Sequence, residues 1–468
     1  MVTREAPRLV IAGLSGDAGK TVVSMALLLA LRRQGVPIRA FKKGPDYIDA
    51  AWLTWASGLP ARNLDTYMMG RERVAGSFAA NSIAGGVNVI EGNRGLFDGF
   101  DAVGTHSTAE LAKLLQAPVI LVLDATKITR TAAALVLGCQ HFDPELQIAG
   151  VILNRVNGKR HERILRECIE TACKVPVAGV VGKIPEVSLL PERHLGLITP
   201  EEFQHANQLE QHLREQVASG LDLDRLKEIA KSAGEFSAPA VIPPTIPDAS
   251  GLRIAYVRDS AFSFYYADNL EALERAGAEL VPVSSLNKSA LPANIDALYI
   301  GGGFPETHAQ QIAHNVSFMK WLRDTVLTGV PVYAECGGLM LLSRSLTWRE
   351  LRYSMAGVFN FDVHVSDKAQ GHGYVELQVD APNPFFAMGT VLRGHEFHYS
   401  RIVMENLAEK PLTACAVKRG TGCFDGRDAV LAGNVWASYT HLHALATPEW
   451  AAGIINAARH RRACVTAA

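Results

Sequence analysis

Short apolar runs bounded by glycine-rich turns recur along this chain, and most are continuous rather than alternating. Arg8 to Ala12 (RLVIA), the run ending at Ile38 to Phe41, Pro118 to Asp124 (PVILVLD) and Ile148 to Arg155 (IAGVILNR) read as strands buried on both faces. Strands of that kind belong to parallel sheets covered by helices. Val87 to Ile90 (VNVI) alternates and runs into Glu91. Helical patterns lie between the strands. Thr21 to Arg33 (TVVSMALLLALRR) is mostly apolar, is basic in its last turn and meets Gly35 just beyond. That predicts a largely buried helix with a glycine stop. Ser107-Thr108-Ala109-Glu110 predicts another helix, opened by a capping box. The alternation of strand and helix argues for an α/β fold built on a doubly wound parallel sheet.

The pattern breaks once. After about residue 205 the chain turns polar and helical, and Ser237 to Ser250 (SAPAVIPPTIPDAS) carries Pro239, Pro243, Pro244 and Pro247. Proline at that density predicts an extended, semi-rigid linker. A βα pattern then restarts with Leu252 to Val257 (LRIAYV), a helical segment around Asn269 to Arg275, and strands at Ala297 to Ile300 and Val330 to Ala334. Two domains are expected, 1–236 and 251–460, joined by a linker at 237–250.

The first domain opens on a phosphate-binding loop. Gly13 to Thr21 reads GLSGDAGKT between a strand and a helix. Gly13, Gly16 and Gly19 let backbone N–H groups close on phosphate oxygens, and the helix N-terminus adds positive potential. Lys20 is expected at the terminal phosphates of ATP and Thr21 on Mg²⁺, with Asp17 among the loop's ATP contacts. Five residues separate Gly13 from Gly19 where the strict pattern has four, so a plain glycine-rich turn is the alternative. Asn154, at a strand end, is a candidate adenine reader. Phe41 to Ala50 (FKKGPDYIDA) puts Lys42, Lys43, Asp46 and Asp49 at a strand's carboxyl end, where open parallel sheets hold ligands. Asp46 and Asp49 are candidates to hold Mg²⁺ or orient a substrate, against a solvated turn. Glu91, directly after its strand, is chosen as the second metal-side acid. Asp98, bracketed by Gly95 and Gly99, faces the same crevice or caps a turn.

The second domain carries thiol chemistry. Tyr333 to Leu339 (YAECGGL) puts Cys336 on a sharp turn after a strand, with small neighbours, as a strained nucleophile turn requires. The following helix N-terminus favours thiolate, against the default of a buried structural cysteine. Gly301 to Gly303, with Gly337, can offer backbone donors to an oxyanion; Gly302, Gly303 and Gly337 are the candidates. In Ala437 to His443 (ASYTHLH), His441 and His443 alternate along an expected strand and share a face. His395 and His398, in RGHEFHYSR, are three apart. They do not make the zinc-protease pattern, and the segment reads as structural or interfacial.

With these pieces in hand, the chain resembles the cobyrinic acid a,c-diamide synthase family. The matching segments are GLSGDAGKT, FKKGPDYID, EGNRGLFDG, VRDSAFSFYYADNL, GGGFPE, AECGGL, RGHEFHYS and SYTHLH, in order over nearly the whole chain. The loop with one extra residue matches dethiobiotin synthetase and its relatives, which phosphorylate a carboxylate. The resemblance implies a P-loop amidoligase domain joined to a class I glutamine amidotransferase-like domain. It implies ATP-driven phosphorylation of a peripheral tetrapyrrole carboxylate, and amidation by ammonia from glutamine. Cys336 is then the nucleophile and His441 its base. Asp46 and Asp98 lie near the acceptor carboxylate and Mg²⁺, and Lys42, Tyr47 and Ile48 border the tetrapyrrole. Class I amidotransferases often carry a glutamate two residues after the histidine; His443 stands there, which favours a Cys-His dyad. Asn93-Arg94 stands where the resemblance implies an aliphatic pair, making Arg94 a candidate acceptor contact and leaving sirohaem or nickel-sirohydrochlorin as alternative acceptors.

Composition narrows the partners. Lys and Arg number 46 against 47 Asp and Glu, which gives no electrostatic case for nucleic acid or anionic membrane. The apolar stretch MALLLAL is too short to span a bilayer, and the N-terminus reads as a strand, not a signal peptide. Seven cysteines without a CxxC pair suit reduced thiols in the cytoplasm. The expected partners are ATP, glutamine and a tetrapyrrole, with a homodimer as the allowed assembly. A partitioning or metallochaperone-type ATPase switch shares the first-half pattern; Cys336 argues against it.

Overall fold

The computed structural model describes residues 2–183, 192–193, 196–239, 246–287, 290–405 and 410–467. It divides into two compact units, Met1–Val241 and Ile242–Ala468. Ser237 and Ala238, read from sequence as linker, end a strand at Glu235–Ala238 that pairs antiparallel with β1 (Val2–Glu5). Pro243 and Pro244 lie outside the described residues.

The first unit is built on β2 (Arg8–Gly13), β3 (Ile38–Lys43), β4 (Arg62–Leu64), β5 (Val87–Glu91), β6 (Val119–Asp124), β7 (Ile148–Val156) and β8 (Val177–Gly182). Their order across the sheet is β4-β3-β5-β2-β6-β7-β8, and every pairing is parallel. Leu9, Val10, Ile11, Val89, Ile90 and Ile120 are fully buried, as a sheet covered on both faces requires. The first helices, α1 (Lys20–Arg33) and α2 (Tyr47–Ser57), follow β2 and β3 after short loops. Parallel connectivity therefore brings the carboxyl ends of β2, β3, β5 and β7 to one edge, with their loops and helix N-termini.

The second unit has a nine-stranded mixed sheet. Glu279–Val283, Arg253–Val257, Ala297–Ile300, Val332–Glu335 and Val435–Ser438 lie side by side and parallel. Arg427–Ala432, Thr413–Arg419, Gly371–Val379 and Val391–His398 extend it antiparallel. A separate four-stranded sheet contains Ser345–Trp348 and Ser400–Val403. One expectation fails here. The strand before the histidines stops at Ser438, and His441 makes an isolated antiparallel bridge with His395. His441 and His443 therefore do not share a strand face.

Candidate functional site

The phosphate loop is held from behind. Gly19 stands at φ 93° as the residue before α1, a conformation glycine adopts without strain. A Cβ there would meet the Asn154 amide nitrogen at 2.3 Å. That amide donates to the Ala18 carbonyl at 2.9 Å, and its oxygen accepts from the Arg155 N–H at 2.9 Å. Asn154, expected to read adenine, thus ties the end of β7 to the loop. Gly13 ends β2 and Gly16 begins a short turn with exposed Asp17. Lys20 is buried and folds back on the loop, donating to the Ser15 and Gly16 carbonyls at 2.7 and 3.2 Å.

Beside the loop lies a buried charge cluster. The Thr21 hydroxyl donates to Glu91 Oε1 at 2.9 Å, and Lys42 Nζ reaches the same oxygen at 2.7 Å and Asp49 Oδ2 at 2.6 Å. Burial alone would lower the Lys42 ammonium's pKa, but Asp49, Glu91 and Asp46 outweigh it and hold the group above ordinary lysine. Burial pushes the Glu91 carboxyl up, while Lys42 opposes the shift. Among the described residues the other carboxylate oxygen of Glu91, which is buried, has no hydrogen-bond partner. A buried acceptor left unsatisfied is costly, so the chemistry of this oxygen suits a cation or a donor.

The expected substrate residues separate. Lys42, expected at the acceptor, is enclosed by its carboxylates with its side chain 1% exposed. Asp49 joins the cluster. Asp46 instead caps α2, accepting from the Asp49 N–H at 2.7 Å, and burial and Asp49 push its carboxyl up. Tyr47 is half-buried and Ile48 buried in the same turn. Asp98 is exposed and closes its own loop by accepting from the Gly95 N–H at 3.0 Å. Arg94, at φ 51°, is exposed at the same rim.

In the second unit, Cys336 stands between the strand Val332–Glu335 and the helix Gly337–Leu342 at φ 48°, ψ −98°. Its N–H donates to the Ser438 carbonyl at 2.7 Å, locking the turn to the neighbouring strand. Burial pushes the thiol up, Glu306 and Glu335 add to this, and the Gly337 N–H opposes it. Burial thus favours the neutral thiol, from which attack needs a base.

The Gly302–Gly303 loop meets the turn on one side and His441 on the other. A Cβ on Gly302 would lie 2.6 Å from His441 Cε1, and one on Gly337 would lie 3.1 Å from the Gly303 nitrogen. Gly302, Gly303, Gly337 and His441 therefore converge. The Gly302 carbonyl accepts from the Phe264 N–H at 3.1 Å. A trans peptide then turns the Gly303 N–H the opposite way. His441 is buried, and its Nδ1 is 3.4 Å from Glu335 Oε2. His443 points elsewhere, accepting from the Leu445 N–H at 3.1 Å and lying 3.6 Å from Asp268.

Sequence reading missed two neighbours of His441. His395 stacks on it with ring centroids 5.0 Å apart. Burial and the facing histidines push His395 well below ordinary histidine, so it stays neutral. Glu335 was visible only as the residue before the nucleophile. Its contact with His441 spans 106 positions, which no local pattern reveals.

Known proteins fit this two-centre layout. A family described as the CobQ/CobB/MinD/ParA nucleotide binding domain matches residues 9–198. One described as the CobB/CobQ-like glutamine amidotransferase domain matches residues 253–449. The chain is 42% identical over 451 residues to a cobyrinate a,c-diamide synthase of Magnetococcus marinus, covering 95% of this chain and 96% of the relative. It is 39% identical to one of Syntrophotalea carbinolica, covering 97% and 99%. It is 37% identical to one of Archaeoglobus fulgidus, covering 99% and 100%. Similarity at this level over the full length of several relatives means that the chain belongs to the cobyrinate a,c-diamide synthase family.

Proposed function

We propose that the protein converts the a and c carboxylates of cobyrinate to primary amides, using ATP and the amide nitrogen of glutamine. The observation that carries this reading is the pairing in one chain of a phosphate loop beside the Thr21–Glu91 contact and a cysteine on a strained turn whose preceding residue, Glu335, contacts His441.

In the glutaminase half, His441 Nε2 takes the thiol proton as Cys336 Sγ attacks the side-chain carbonyl of glutamine. The Gly303 N–H, with Gly302 and Gly337 shaping the pocket, meets the oxygen that gains charge. His441 then delivers the proton to the departing nitrogen and ammonia leaves. Water, deprotonated by His441, attacks the thioester and releases glutamate. In the other half, Lys20 leaves the Ser15 and Gly16 carbonyls and turns to the γ-phosphate, while the loop N–H groups hold the neighbouring oxygens. The acceptor carboxylate takes the phosphoryl group, giving an acyl phosphate and ADP. Ammonia displaces phosphate and forms the amide.

Mg²⁺ suits the residues present. Thr21 and the unpartnered Glu91 oxygen would hold it, with Asp46 nearby, and it would neutralise phosphate charge. Asp98 and Arg94 at the rim, and Tyr47 and Ile48 on α2, are assigned to the acceptor side. The free thiols among the described residues suit a reducing compartment, and we place the enzyme in the cytoplasm.

Cys336→Ser tests the reading. Glutamine-driven amidation is expected to vanish while free ammonia still gives the diamide, because the phosphorylating half is untouched. Loss of both activities in a folded variant would refute two separable reactions.

A further inference from the structure

His441 must hold one proton on Nδ1 if Nε2 is to accept another from the thiol. Some acceptor has to face Nδ1, and the position two residues along holds His443, whose ring lies against Tyr266 with centroids 4.6 Å apart. The carboxylate found there belongs to Glu335, with Oε2 at 3.4 Å from His441 Nδ1.

We propose that Glu335, the residue before the nucleophile, is the positioning residue for His441 and completes a Glu335–His441–Cys336 relay. This rests on the glutaminase reading above. Three observations support it. Glu335 is fully buried, so it serves no surface role. Its carboxylate is fixed by neutral donors: the Leu442 N–H at 3.1 Å and the Tyr333 hydroxyl at 3.2 Å on Oε1, and the Tyr299 hydroxyl at 3.4 Å on Oε2. A buried carboxylate stays useful as an ion only when its lone pairs are occupied in this way. The Leu442 bond also grips the backbone next to His441, so one side chain sets both the ring's tautomer and its place in the chain.

The arrangement has a simple logic. Strand and turn put Glu335 and Cys336 on successive residues, and the positive φ of Cys336 swings its thiol out of the strand's alternation. The carboxylate goes to the buried side of the imidazole, and the Cε1–Nε2 edge faces the Gly302 loop. When Cys336 Sγ bonds to the glutamine carbonyl carbon, the S–H proton passes to Nε2. Glu335 stabilises the imidazolium without taking a proton. The Nε2 proton then goes to the amide nitrogen as the C–N bond breaks, and ammonia departs.

Glu335→Gln tests this. The amide keeps the volume but offers NH₂ to Nδ1, which favours the tautomer that cannot act as base. The kcat for glutamine hydrolysis should fall about a hundred-fold or more, with KM for glutamine within about twofold and ammonia-driven amidation unchanged. A kcat fall below about tenfold, or a loss carried by KM, would overturn the proposal. Wild-type glutaminase activity in Cys336→Ser would instead sink the parent reading, whatever Glu335→Gln does. If Glu335→Gln does not fold, as judged by circular dichroism and thermal unfolding, the Tyr299→Phe/Tyr333→Phe variant replaces it. That variant strips two donors from the carboxylate and should lower kcat about threefold or more at constant KM. An unchanged kcat there would equally overturn the proposal.

Discussion

Lys42→Met gives the sharpest test of the buried cluster beside the phosphate loop. Methionine fills much of the lysine's volume, so the packing loss is small and the perturbation is electrostatic. Two carboxylates, Asp49 at 2.6 Å and Glu91 at 2.7 Å, lose their counter-charge, and Glu91 is fully buried. Removing one partner of a buried ion pair costs about 3–5 kcal/mol. For a domain of this size each kcal/mol moves Tm by roughly 2–4 °C, so a fall of about 6–20 °C is expected. The loss must depend on pH. Burial already raises the folded pKa of Glu91, and the Lys42 ammonium is the main charge opposing that rise. Without Lys42 the folded value climbs further above the unfolded one, about 4.3. A carboxyl raised on folding costs nothing below its unfolded pKa and costs most above its folded pKa. Lowering the pH from about 8 to about 5 should therefore narrow the gap between variant and wild type. Adding Glu91→Gln should also recover part of the loss, since a neutral amide tolerates burial better than an unpaired ion. Thermal unfolding followed by circular dichroism reads both effects. A gap under about 3 °C at pH 8, or one that does not shrink on acidification, would refute the reasoning.

His441→Asn should cut glutamine hydrolysis by about a hundred-fold or more, whereas His443→Asn, whose ring faces Asp268, should do far less; initial rates with glutamine rank the two. Gly302→Ala places a methyl group 2.6 Å from His441 Cε1, so kcat for glutamine should drop about tenfold or more while ammonia-driven amidation stays near wild type. Arg94→Met should raise KM for cobyrinate and leave KM for ATP and the glutaminase rate unchanged, because arginine grips carboxylates bidentately; an unmoved KM for the macrocycle would remove Arg94 from the acceptor side.

The chemistry was legible where it is written in local backbone. The phosphate loop and the cysteine turn announce themselves because glycines must flank a close phosphate or a strained nucleophile, and those constraints act over a few residues. What escaped reading was set by tertiary register. Lys42 and Glu91 are paired because β3 and β5 are neighbours in the sheet, with Lys42 opposite Glu91, and no spacing in the chain encodes that. Asp46 and Asp49 look equivalent in sequence, yet the start of α2 turns one into a cap and the other into a charge partner. The segment of His441 resembled a strand by alternation, but it leaves the sheet after Ser438 and is held instead by its bridge to His395. His395 was read as part of a structural or interfacial segment and not as a neighbour of His441, because the two lie 46 positions apart.

The backbone at Cys336 bears on how this family can decay. A non-glycine residue in that region costs about 1–3 kcal/mol, and glycine would occupy it freely. The hydrogen bond to Ser438 holds the turn whatever side chain is present. Selection for a stable fold alone would therefore drift position 336 to glycine, and cysteine endures only while an organism benefits from drawing nitrogen out of glutamine. In lineages living on abundant ammonia that benefit weakens. The first trace of a silenced glutaminase should be a more robust domain with glycine at 336, still attached to a working amidating partner.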